Sequence, residues 1–148
     1  MPLRSFEMQQ SVEVSAPLER VWHVFSDVPA WPSWSPVCIN VCGDLGALWT
    51  VGARFGFGLR MAKVGIQFNV RVVEHAPLRK VAWTSTRCGI TAVRAFSFST
   101  SGDQTVVTDT KALSSALLPI GLCYPRNVMR TMTTAWLSDL KNESERPA

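Results

Sequence analysis

With 148 residues and a net charge of +4, the chain can bury roughly two-thirds of its unfolded surface and needs no disulfide or metal staple to fold. Hydrophobic residues make up 47% and charged residues 18%. An average soluble domain is about 25% charged, so the apolar excess serves either an internal cavity or an oligomer interface. The basic balance does not indicate nucleic acid: the cations are mostly single, scattered arginines, with no Lys/Arg run and no helix-turn-helix, zinc-finger or RNP pattern.

Residues 5–14 alternate, with Phe6, Met8, Val12 and Val14 on one side and Glu7, Gln9, Ser11 and Glu13 on the other. That is a half-buried strand. Pro17 then opens a helix where its missing N–H costs nothing, and Glu19 favours the positive end of the helix dipole. Val21, Trp22, Phe25 and Val28 form its core stripe. Pro29, Pro32 and Pro36 forbid any long helix beyond it. They carry Trp31 and Trp34 on a stiff turn, which either plugs the core or supplies the wall or lid of a cavity.

From residue 37 the pattern becomes a series of strands: 37–42, 53–61, 65–74, 80–85, 90–100 and 104–113. Phe55, Phe57 and Leu59 share a face, as do Ile66, Phe68, Val70 and Val72, and Val81 with Trp83. Gly56 and Gly58 oppose the first set and predict a bent strand or a close backbone approach. A two-residue loop at Ser101-Gly102 would pair residues summing to 203. That register sets Phe98 against Thr105, Phe96 against Val107, Arg94 against Asp109 and Ala92 against Lys111. A linker over 114–124 follows. Pro125 begins a last helix of about five turns, with Val128, Met129, Met132, Ala135, Trp136 and Leu140 as its apolar stripe. Hairpin-length connections make the sheet antiparallel, and a sheet of seven strands curls under a covering helix.

The chemistry-bearing residues form no strong catalytic or metal motif. Cys38, Cys42, Cys88 and Cys123 make no C-x-x-C pair, and His23 and His75 stand at no ligand spacing to them. Cys38 and Cys42 are expected to share a strand face ~13 Å apart, too far to bridge. All four cysteines read as small buried hydrophobes of a reducing compartment. No metal and no cofactor is expected. His75 reads as a turn residue beside Pro77, and His23 as solvent-facing. No Ser-His-Asp set, carboxylate pair or phosphate loop occurs, so catalytic residues are unassigned. Residues 1–10 have no apolar signal core, and the apolar run 116–124 is too short to span a bilayer. The expectation is a soluble cytoplasmic protein, monomer or homodimer, with no nucleic acid and no integral membrane association.

The opening SVEVSAPLERVW…FSDVPAWPSWSP, then VGARFGF, VRVVEHAPLRKVAW, RAFSFSTSGDQTVVTD and WLSDLK, resembles the START-like (SRPBCC) superfamily. It is closest to the polyketide cyclase/dehydrase and lipid-transport branch. The resemblance covers about 5–143 and implies one START-like domain over 1–148. Its fold is α+β, a helix-grip: a curved seven-stranded antiparallel sheet wrapped around the long C-terminal helix, with a short helical segment between strands 1 and 2 and an apolar cavity beneath. In that fold Phe55, Phe57, Phe68, Trp83, Phe96 and Phe98 face inward, with Met129, Met132 and Trp136 from the helix. They either fill a core or line the cavity. Trp34 stands as its wall. The family often carries a carboxylate at the position of Lys111 and a His or Arg at that of Arg94; here Asp109 is the carboxylate on offer. Arg94, Asp109 and Lys111 fall on the inner face, as a structural ion pair with a spare lysine or as the polar end of a ligand site. Tyr124 is placed at the cavity mouth. The function implied is binding of a small hydrophobic molecule (lipid, isoprenoid or polyketide-like). The alternatives are a polyketide cyclase/dehydratase in the same cavity, or an interaction module using exposed apolar surface.

Overall fold

The structure, a computed structural model, describes residues 4–120 and 124–147. Strand β1 (Ser5–Val14) leads through Pro17 into helix α1 (Leu18–Ser26). A 3₁₀ turn (Val28–Ala30) and a single-turn helix α2 (Trp31–Trp34) follow. The prolines act as their positions dictate: each of these short elements has Pro in its first turn and neither grows longer. Then come β2 (Cys38–Gly43), a 3₁₀ turn (Leu45–Ala47), β3 (Arg54–Met61), β4 (Val64–Ala76), β5 (Lys80–Arg87), β6 (Ile90–Ser101) and β7 (Gln104–Ser115). Helix α3 (Arg126–Glu145) closes the chain.

The seven strands form one antiparallel sheet in the order β1-β7-β6-β5-β4-β3-β2. Helix α3 crosses its inner face; at 20 residues it is about 30 Å long. This is the helix-grip arrangement. Polar ties hold the helix to the sheet's first edge: Gln10 Nε2 donates to Thr134 Oγ1 at 2.8 Å, and Lys141 Nζ donates to the Glu13 carbonyl at 3.0 Å. On the α2 side, Ser35 Oγ donates to Asp139 Oδ2 at 2.8 Å.

One half of the space between sheet and helix is filled with aromatic rings. Phe25 lies 4.8 Å from Phe96, 5.1 Å from Phe98 and 5.9 Å from Trp136, centroid to centroid. Trp31 packs edge-on to Trp136, and its indole N–H donates to the Phe25 carbonyl at 2.8 Å. Trp31 is therefore a core residue whose one polar atom is satisfied. His75 is not a free turn residue: it stacks on Trp22 at the end of β4, 6.0 Å between centroids.

Two register details differ from the sequence reading. The β6–β7 hairpin pairs residues summing to 205, with Gly102 and Asp103 as the loop. Gly102 takes φ +61 at the first loop position, the place where a two-residue hairpin turn calls for glycine. The slip is two residues, so every side chain keeps its face while every partner changes: Arg94 stands opposite Lys111 and Phe96 opposite Asp109. In β2 a bulge between Cys38 and Asn40 breaks the alternation. Cys38 is buried, whereas Cys42 turns outward and is exposed, so the two do not share a face. Cys88 is also exposed, at the β5–β6 turn, where it and Gly89 both have positive φ. The expectation of buried cysteines holds for Cys38 and fails for Cys42 and Cys88; Cys123 lies outside the described residues.

Candidate functional site

The inner face of the sheet is read as cross-strand rows. Val81, Phe96, Asp109 and Gln10 form one row across β5, β6, β7 and β1. The next row is Trp83, Arg94, Lys111 and Met8, and the next is Ser85, Ala92, Leu113 and Phe6. The first row abuts the aromatic core. The third pairs two small side chains, Ser85 and Ala92, on neighbouring strands. Small residues facing each other leave a gap that the flanking large ones do not fill.

That gap is a pocket of ≈ 60 Å³ between the sheet and the start of α3. Phe57, Leu59, Phe68, Val70, Trp83, Leu113, Met129 and Met132 form its apolar wall, with Tyr124. Ser85, Ala92, Arg94 and Lys111 complete it. Next to it is a space of ≈ 240 Å³ lined by Met61, Ile66, Arg87, Cys88, Ile90 and Pro125. Phe68, Ser85, Ala92, Leu113 and Tyr124 line both parts. Tyr124 is held against Phe6 at 5.4 Å, and burial raises its phenol above the usual value, so it is a neutral hydroxyl at the junction. A separate open groove of ≈ 410 Å³ runs outside, along Pro36, Val37, Arg60, Val128 and Ala135. Arg60, Asn127 and Thr131 are its polar lining, and Met132 lies between the two spaces, lining both.

Of the residues expected at the site, Phe57, Phe68, Trp83, Arg94, Lys111, Met129 and Met132 come together around the pocket. Phe55, Phe96 and Asp109 stand outside its lining; the two rings belong to the aromatic core and Asp109 to the row behind. Trp34 is on α2, packed 5.4 Å from Trp136, with its indole N–H enclosed and without a partner among the described residues. Sequence reasoning did not single out Ser85, Ala92, Leu113 or Thr133. The adjacent small residues were the available signal for the gap. Thr133 carried none, being one polar position on an amphipathic helix.

The polar end of the pocket is a charge cluster. Arg94 grips Asp109 from the side: Nη2 donates to Oδ2 at 2.7 Å, and Nε reaches both oxygens at 3.2 Å. Its guanidinium also lies 4.8 Å from the Phe96 ring centroid and 5.9 Å from that of Trp136. Lys111 Nζ donates to Asp109 Oδ2 at 3.2 Å and to Thr133 Oγ1 on α3 at 2.6 Å. The side chains of Arg94, Asp109 and Lys111 are 11%, 0% and 7% exposed. Two cations thus share one carboxylate in a nearly dry site. Burial, reinforced by the Arg94 charge and opposed by Asp109, lowers the Lys111 ammonium from 10.5 to about 7. Around neutral pH the cluster exchanges between one surplus positive charge and none. Among the described residues no group of His, Cys, Asp and Glu is arranged to hold a metal ion, and no helix is long and apolar enough to cross a membrane.

Comparison with solved structures finds the same architecture. The chain is similar to the Zhui aromatase/cyclase from Streptomyces sp. R1128 (17% identity, 96% of this chain and 94% of that one, TM-score 0.77). A START superfamily protein from Mycobacterium smegmatis matches at 17% identity over 94% and 97%, with TM-score 0.75. Ginseng major latex-like protein 151 from Panax ginseng matches at 10% identity over 96% and 99%, with TM-score 0.79. These likenesses are likenesses of fold. No curated protein matches the chain by sequence. The family model described as polyketide cyclase / dehydrase and lipid transport matches residues 5–141, and the chain belongs to that family.

Proposed function

We propose that the protein binds a small hydrophobic molecule in the pocket between the sheet and α3. The observation that carries this reading is the pair of adjoining, largely apolar spaces over Ser85 and Ala92, the inner of which ends on Arg94 and Lys111. Ligand sites have this make-up: apolar walls with a few placed polar groups. The innermost part, at ≈ 60 Å³, suits one functional group rather than a folded chain, so the ligand is short and its body occupies the outer part. Free cysteines exposed at 42 and 88 support a reducing, cytoplasmic setting. The test is titration with 1-octanol, a neutral apolar probe, followed by tryptophan fluorescence, to which Trp83 contributes from the pocket wall. Saturable quenching is expected from the intact protein and not from Ala92→Phe, which fills the junction of the two spaces. If 1-octanol leaves the fluorescence unchanged, the binding reading fails.

A second reading, cyclisation of a poly-carbonyl chain, is favoured by one observation: an amine with a pKa of about 7 lines the pocket, where it can take a proton. Incubation with a poly-β-carbonyl mimic separates the two, since a pure carrier releases it unchanged.

A further inference from the structure

The charge cluster is unbalanced in a way the fold does not require. Arg94 alone satisfies Asp109 through both carboxylate oxygens. Adding Lys111 brings a second cation into a site where its side chain is 7% exposed, and a buried charge without its own counter-ion is costly. An ammonium has three N–H bonds. Two of Lys111's go to Asp109 and Thr133, and no described residue accepts the third. Arg94 uses Nε and Nη2 on Asp109, and its Nη1 likewise has no acceptor among the described residues. Both side chains line the pocket. Two unused cationic donors at the inner end, with one missing negative charge, describe a receptor for an anionic oxygen; Arg87, the cation of the outer part, already donates to the Gln67 carbonyl at 3.1 Å.

We propose that the ligand is a small apolar acid, whose carboxylate accepts hydrogen bonds from Lys111 and Arg94 and whose tail runs over Ser85 and Ala92 toward Ile66 and Ile90. This rests on the binding function proposed above and specifies its ligand class. A carboxylate gives Lys111 the counter-charge it lacks and favours the ammonium. Binding above neutral pH therefore takes up a proton, because free Lys111 is largely neutral there. The charged or titratable groups around Lys111 are Arg94 from β6, Asp109 from β7 and Tyr124 ahead of α3. β1 presents Met8 opposite it, and α3 presents Thr133, Met129 and Met132. Of these, burial holds Tyr124 neutral and brings the Lys111 ammonium down to about 7.

The experiment compares octanoate with octanamide, its neutral near-isostere, by isothermal titration calorimetry of the full chain. At pH 6 octanoate is expected to bind about tenfold or more tightly, the scale of a charge-assisted hydrogen bond. That preference shrinks as the pH rises from 7 to 9. At pH 8, titrations in buffers of different ionisation enthalpy are expected to show uptake of roughly half a proton or more with octanoate and none with octanamide. Lys111→Met keeps the Arg94–Asp109 pair; it is expected to lose most of the preference for octanoate over octanamide, and the proton uptake with it. The proton uptake needs no variant, so a misfolded mutant does not blunt the test. If octanoate and octanamide bind equally, or octanoate binds without proton uptake, the acid assignment is wrong and the apolar pocket stands. If octanoate, octanamide and 1-octanol all fail to bind, the binding function falls and the acid assignment with it.

Discussion

Asp109 is the residue on which the polar site turns. It is fully enclosed and is the only carboxylate bonded to Arg94 and Lys111 among the described residues. Asp109→Asn leaves two buried cations facing each other, and breaking a buried pair in this way costs about 3–5 kcal/mol. Chemical denaturation is expected to show a loss of that size. Arg94→Met is expected to cost less, because Lys111 then becomes the sole counter-charge. Lys111 itself opposes stability at low pH. Its folded pKa of about 7 lies below its ordinary 10.5, so the unfolded chain binds the extra proton between these values and stability rises with pH across that window. Below pH 7 the penalty is present in full; above 10.5 it is gone. Lys111→Met is therefore expected to stabilise the protein by roughly 1–4 kcal/mol at pH 6, with a smaller gain at pH 9. A gain that grows with pH would contradict the assignment of the shift to Lys111.

At the scale of elements, the β6–β7 hairpin and helix α3 do most to define the site. The hairpin's register is set by Gly102, whose φ of +61 lies in the left-handed region that favours glycine. Gly102→Ala meets no neighbouring atom within 4 Å, so its expected cost is backbone strain alone, about 1 kcal/mol. A two-residue slip of this hairpin would restore the sequence-based pairing of Arg94 opposite Asp109. The observed diagonal is what lets Arg94 reach sideways to Asp109 while standing opposite Lys111. Helix α3 contributes Trp136 to the aromatic half and Met129, Met132 and Thr133 to the pocket half. Trp136 meets Phe25, Trp31, Trp34 and Phe96. Trp136→Ala is expected to lose about 3–5 kcal/mol in denaturant unfolding, the range for truncating a buried large aromatic.

For the molecule as a whole, the interior is divided in two, one half closed by rings and the other left open where side chains are small. Ala92→Leu closes that opening. Its expected signature is a change in stability within about 1–2 kcal/mol of the wild type, because cavity filling and overpacking oppose each other. Loss of 1-octanol binding is expected to accompany it, measured by the same fluorescence titration. A variant that keeps its affinity would place the ligand elsewhere, the outer groove beside Met132 being the next space to probe.

The strands, their inward faces and the covering helix were legible in the chain, because alternation at period two and stripes at period 3.6 are local consequences of burial. The family resemblance was legible as well, since it rests on short motifs spread over most of the length. Pairing was a different matter. A two-residue slip preserves every face, so alternation has no power to choose between sums of 203 and 205; only the geometry of the turn does so. The outward turn of Cys42 followed from a bulge, which inserts one residue without a composition signal. The pocket, too, was decided in three dimensions: Ser85 and Ala92 become a gap only when two strands set them side by side. The same holds for Lys111, whose type and number are plain in the sequence. Its pKa is low because the fold buries it beside Arg94, an effect that Asp109 only partly offsets.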